Sequence, residues 1–130
     1  MSSALQSNTR KGPIVIVPNA NLTGKEGFLA KLVAGTGQAK AALTGAGAQA
    51  QFVVLEGGDV TGNVSLQPLN TDQNVRVVAA VAIAGGGEVA SDTNGKATTA
   101  TSGDWVVGIA EADAAIGDYA IIRPVIYKKA

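Results

Sequence analysis

The sequence predicts an all-β fold, a small β-barrel or β-sandwich. Turn-forming residues recur every few positions, with 17 glycines and many Thr, Asn and Asp in 130 residues. That density favours short strands over long helices. The runs between the turns are rich in Val and Ile, which suit a pleated, half-buried surface. Between two such runs stands Asn94-Gly95, a strong short-range hairpin signal.

Residues 1–11 carry no core-forming pattern and read as an extended N-terminal arm. Residues 12–130 then form a single β-rich domain. Gly12-Pro13 opens Ile14 to Val17, a strand stopped by Pro18; proline at both ends suits a sheet edge. Thr23-Gly24-Lys25-Glu26 has the form of a helix capping box. The run that follows, Phe28 to Val33, is short, and Gly24 and Gly27 would each cost a helix about 1 kcal/mol, so a strand is expected there. Gln38 to Leu43 and Ala50 to Glu56 are strands around the Thr44–Gly47 turn. Asn63 to Leu69 is the next strand, and Val75 to Ile83 follows with Arg76 as its one charge. Gly85-Gly86-Gly87 turns the chain into Glu88-Val89-Ala90, which pairs through Asp92–Gly95 with Lys96 to Thr99. Trp105 to Ala110 and Tyr119 to Tyr127 close the domain. Trp105, opening an apolar strand, is expected to be largely buried.

Segments about 38–69 and 95–126 share a pattern of strand, acidic turn, Gly followed by Asn or Asp, and strand. Glu56 and Glu111 lie 55 residues apart, as do Gly62 and Gly117, whereas Pro68 and Pro124 miss that spacing by one. Two repeated hairpin units would explain this, as would chance in an Ala/Gly/Val-rich sequence. If real, the units pair as halves of one barrel or sandwich, because one hairpin cannot bury its own face.

Apolar residues make up 46% of the chain, but the aromatics are only Phe28, Phe52, Trp105, Tyr119 and Tyr127. Small side chains bury little area each, and such a core often gains stability from oligomerisation or a partner. Net charge is zero but uneven. Residues 1–31 carry +3, residues 32–122 carry −6 and residues 123–130 carry +3. Basic ends on an acidic body can steer association with an acidic surface.

Several function classes fall away. There is no cysteine and no histidine, so disulfides, thiolate sites and triads with a histidine base are excluded. Glu111 and Asp113 could act as paired carboxylates, but an Ala-rich turn reads as a solvated setting, and an enzyme is not expected. Gly45-Ala46-Gly47-Ala48-Gln49-Ala50 has the G-x-G-x-x-A form, yet a strand follows where a dinucleotide site needs a helix. Asp92-Thr93-Asn94-Gly95 fails as a calcium loop, because the sixth position is Ala97 rather than Gly. No metal and no cofactor are expected. The basic residues are not interleaved with aromatics along one patch, so no nucleic-acid partner is expected. No apolar run approaches the ~18 residues of a membrane span, and Met1 to Thr9 lacks the apolar stretch of a signal peptide. The expectation is a protein with no membrane partner, made in a cytoplasm.

The stretch Gly103-Asp104-Trp105-Val106-Val107-Gly108-Ile109-Ala110-Glu111-Ala112-Asp113-Ala114-Ala115-Ile116-Gly117-Asp118-Tyr119-Ala120 resembles the small capsid decoration, or head cement, proteins of tailed bacteriophages. The resemblance spans about residues 74–126, while the first half is similar in style alone. In this pattern Gly108 lets a neighbouring strand pass closely and Gly117 reverses the chain. The resemblance implies a structural virion protein on the capsid surface that binds the outside of an assembled phage head and stabilises the shell. Its partners would be the major capsid protein and further copies of itself, with a trimer favoured. The family's contact residues vary too much to be carried over. The arm, the first strand and the basic C-terminal end therefore supply the candidate capsid- or subunit-contact residues: Asn8, Arg10, Lys11, Ile14, Ile16, Tyr127, Lys128 and Lys129. The alternative is a β-sandwich binding module for a glycan or host surface on a virion or cell. The shortage of aromatics argues against it.

Overall fold

The computed structural model describes residues 13–130. Ten strands and no helix are present among them: β1 (Ile14–Ile16), β2 (Leu29–Val33), β3 (Lys40–Leu43), β4 (Phe52–Glu56), β5 (Val64–Pro68), β6 (Val75–Val78), β7 (Glu88–Ser91), β8 (Ala97–Thr99), β9 (Trp105–Ala110) and β10 (Tyr119–Lys128). They form two five-stranded antiparallel sheets, ordered β1-β5-β4-β2-β3 and β6-β10-β9-β7-β8. Neither sheet closes on itself, so of the two architectures expected the molecule is the sandwich.

The two sheets repeat one topology, since adding five to each strand of the first gives the second. Ladder positions correspond as well. Val54 lies opposite Leu66 and Ala110 opposite Ile122, and Phe52 faces Pro68 as Gly108 faces Pro124. On the ladders the spacing is thus 56, which matches the prolines. A register shift between Val54 and Glu56 leaves Leu55 as one extra residue in β4. That extra residue returns the two glutamates to a spacing of 55. Each half also carries an isolated parallel bridge from just beyond its first strand to its third, Pro18 to Ala41 and Ala79 to Ala97.

Alternating positions of the first sheet bury both of its faces. Leu29 and Val53 join Val75, Val77, Val89, Val107, Ala120 and Ile122 of the second half in the main core. Their neighbours Ala30 and Val54 turn the other way, into a cluster with Leu22, Val64 and Leu66. The halves are stitched by backbone bonds as well. The Leu29 amide donates to the Gly95 carbonyl at 2.6 Å, the Trp105 amide to the Gly47 carbonyl at 2.9 Å, and the Val78 amide to the Gly27 carbonyl at 2.9 Å. The buried Ser91 hydroxyl donates to the Thr44 carbonyl at 3.2 Å.

One expectation needs correction. The strand expected over Val75 to Ile83 ends at Val78. The chain bends there, and Ile83 returns only as an isolated bridge to Ala114. The strand expected over Phe28 to Val33 is present as β2, with Phe28 just outside it and its ring 5.1 Å from Lys25 Nζ and 5.5 Å from Lys96 Nζ. Trp105 is mostly covered, as expected, and keeps some exposure where it opens β9 beside the exposed turn Thr101–Gly103. The two buried faces of β9 are taken by Val107 in the main core and Val106 against Ala90, Ala100 and Tyr127.

Candidate functional site

Of the eight candidate contact residues, Asn8, Arg10 and Lys11 lie outside the described residues. In β1, Val15 is the residue turned to solvent, at 67% exposure. Ile14 and Ile16 point inward and pack against the cluster of Leu22, Val64 and Leu66. β1 pairs with β5 on one side only, so it is an edge strand, as its flanking prolines suggested.

Ile14 also lines an open apolar groove of about 430 Å³ with Leu32, Phe52, Pro68, Leu69 and Ile126. The rim is polar but uncharged, formed by Gln49, Gln51 and Asn70. The Gln51 side-chain carbonyl is already committed, accepting from the Leu32 amide at 2.9 Å. The groove thus brings the first strand and the last strand together at one surface. Leu32, Phe52 and Leu69 belong to it and escaped sequence reasoning. In sequence they read as ordinary inward residues of three separate strands.

At the C-terminal end Tyr127 and Lys129 converge on one carboxylate. Lys129 Nζ lies 2.6 Å from Glu88 Oε1, and the Tyr127 hydroxyl donates to Glu88 Oε2. The hydrogen bond from Lys129 and then that from Tyr127 hold the Glu88 carboxyl below its ordinary pKa. The same hydrogen bond to Glu88, helped by partial burial, pushes the Tyr127 phenol up. Lys128 is fully available by contrast, exposed on the far side of β10. A similar tie stands midway along the strand. Arg123 Nη2 lies 3.2 Å from Glu111 Oε2, and the Asn74 side-chain amide donates to Glu111 Oε1. Glu111 and Asp113, considered above as paired carboxylates, are engaged separately. Asp113 accepts from the Gly85 amide at 2.7 Å, so its role is to hold a turn.

The two glycines singled out in the second half behave as their positions require. A Cβ on Gly108 would lie 2.3 Å from the Arg123 carbonyl oxygen and 2.4 Å from Ile122 Cγ2, so β10 passes directly over it. Gly117 has φ +86°, a left-handed conformation that other residues adopt only with strain.

No protein-family model matches the chain, and no curated protein matches it. Among solved structures, the fold is similar to that of the N base of head fiber gp8.5 of bacteriophage phi29. The TM-score is 0.73 at 17% sequence identity, over 87% of this chain and 92% of that chain. The chain thus shares with that phage structural protein a fold that spans both sheets.

Proposed function

We propose that this protein is a structural component of a phage virion that binds the outside of the assembled head and stabilises its shell. The observation that carries the reading is the fold likeness to a head-fiber base, which extends across nearly the whole of both chains. A fold alone does not specify a function. The resemblance of residues 74–126 to head cement proteins supports the same reading independently. Binding that is specific for the assembled lattice stabilises that lattice by mass action, and repetition over many sites requires only modest affinity at each. In this reading the contact is made by the arm, with Asn8, Arg10 and Lys11, and by the exposed Lys128 beside it in charge. Copies of the protein associate on the shell, a trimer being the favoured unit.

The test is direct. Purified protein is mixed with heads that lack it, and the heads are recovered on a gradient and imaged by electron cryomicroscopy. Added density at regular positions on the outer face is expected. Deleting residues 2–11 is expected to lower occupancy while leaving the fold intact. Free protein beside bare heads would overturn the proposal, and binding to host cells or to glycans instead would establish the alternative.

A further inference from the structure

A second concave surface, of about 400 Å³, lies where β4 of the first sheet meets β6 of the second, away from the groove at Ile14. Val53 and Val75 lie at its base, and Gln67, Gln73 and Asn74 stand around them. Three features set it apart from an ordinary seam between sheets.

The first is Leu55. It is the extra residue of the register shift in β4 and stands 45% exposed at the hollow. Bulges re-aim side chains, and the matching ladder position of the second half has no shift there. The second is Tyr119, 51% exposed. Its ring rests against Gly27, where a Cβ would lie 2.6 Å from Tyr119 Cε1. Gly27 itself has φ +82°, so the backbone provides a shelf on which one edge of the ring is fixed. The third is Arg76. Its guanidinium forms no ion pair or hydrogen bond among the described residues. The one carboxylate lining the hollow, that of Glu26, is turned to the Gly57 amide at 2.7 Å.

A seated tyrosine and an unpaired arginine are residue types enriched at the energetic centres of protein interfaces, and here they stand beside an exposed leucine. Arginine offers a planar fork matched to a carboxylate. The exposed Leu55, with Val53 and Val75 at the base, favours an aliphatic side chain over a sugar ring. We propose that this hollow is a docking surface for a loop of a partner protein that presents a carboxylate beside an aliphatic side chain. The inference does not depend on the head being the partner.

The test uses no heads, so its failure leaves the proposed head binding standing. The ¹⁵N-labelled full chain is titrated with a blocked Gly-Leu-Glu-Leu-Gly peptide and with its Gln counterpart. Saturable amide shifts confined to Gly27, Leu55, Arg76, Tyr119 and their neighbours are expected with the Glu peptide, at millimolar affinity for so short a probe. The Gln peptide, and Arg76→Gln with the Glu peptide, should bind at least roughly fivefold more weakly, the loss of a charge-assisted contact. A dispersed spectrum for the Arg76→Gln protein shows that the fold is kept. Equal response to both peptides, shifts elsewhere, or no shifts would overturn the proposal. So would localised saturation by glucuronate in place of the peptide, which would make the site a glycan site. Shifts at the hollow that grow with protein concentration alone would also overturn it, assigning the hollow to a second copy of the chain.

Discussion

Glu88 shows how a single side chain can tie the end of the chain to the body. Lys129 and Tyr127 both come from the last residues of the protein, and both need the carboxylate in its charged form. Because the folded pKa of Glu88 is lowered, its contribution to stability is present above the ordinary glutamate value and is lost as pH falls through the folded one. For Tyr127 the sign is opposite. Its pKa is raised, so its contribution is present below the ordinary tyrosine value and is lost as pH rises through the folded one. Glu88→Gln should therefore lower the melting temperature at neutral pH and flatten its fall on acidification. Calorimetry from neutral to acidic pH measures both, and an unchanged acid slope would remove Glu88 from the account. Gly108 is the more severe position. Gly108→Ala sets a methyl group against the backbone of β10, which must shift, and a loss of at least roughly 1–3 kcal/mol is expected in denaturant unfolding. Neither Glu88 nor its partners could be joined from sequence, because 41 positions separate Lys129 from Glu88 and only the sheet order brings them together. The close passage at Gly108, in contrast, was legible from a glycine within an apolar strand.

Among the elements, the β7–β8 hairpin was the most legible, and its chemistry explains why. The Asp92 carboxylate accepts from the Asn94 and Lys96 amides, both at 2.8 Å, so local hydrogen bonds specify the turn before any tertiary contact forms. Gly95 has φ +83°, and a Cβ there would lie 2.7 Å from the Leu29 carbonyl. Gly95→Ala should thus cost roughly 1–2 kcal/mol for the left-handed backbone and more for the contact with β2. Asp92→Ala should cost roughly 1–2 kcal/mol, as for a lost capping acceptor. Urea midpoints compare the two variants, and an Asp92→Ala effect larger than that of Gly95→Ala would show that the turn matters more than its docking. The partial exposure of Trp105 has a related cause. An apolar strand reveals that it is buried but not which of its residues lies at the exposed end, and the adjacent turn of Thr101–Gly103 decides that. The grooves were invisible at this scale, since each gathers residues from strands far apart in the sequence.

The whole molecule is two copies of one topology that share a core. Leu29, Ala50, Val53 and Leu69 from the first half pack with Val75, Val77, Val107 and Ile122 from the second. Residues 72–130 expressed alone would expose the apolar face that Leu29 and Val53 now cover, so this fragment is expected to lack a dispersed NMR spectrum. The intact chain should unfold in a single calorimetric transition, as small domains with one core do. Two resolved transitions would mean that the halves are energetically separate. The all-β class was legible from turn spacing, but the choice of sandwich over barrel was not, since it depends on where pairing stops. The register shift at Leu55 also hid the ladder correspondence, making the prolines look out of phase with the glutamates.

The parallel bridges at Pro18–Ala41 and Ala79–Ala97 carry a consequence for colloidal behaviour. Sheet edges recruit foreign strands when they are long, flat and free, and that templating drives fibre growth. Here the edge strands β1, β3, β6 and β8 span only three or four residues each. Each sheet also folds one edge toward the other through its bridge, and Pro18 supplies no backbone donor at that point. A concentrated solution should accordingly remain clear and free of dye-binding fibrils, even though the sequence is rich in strand-forming residues.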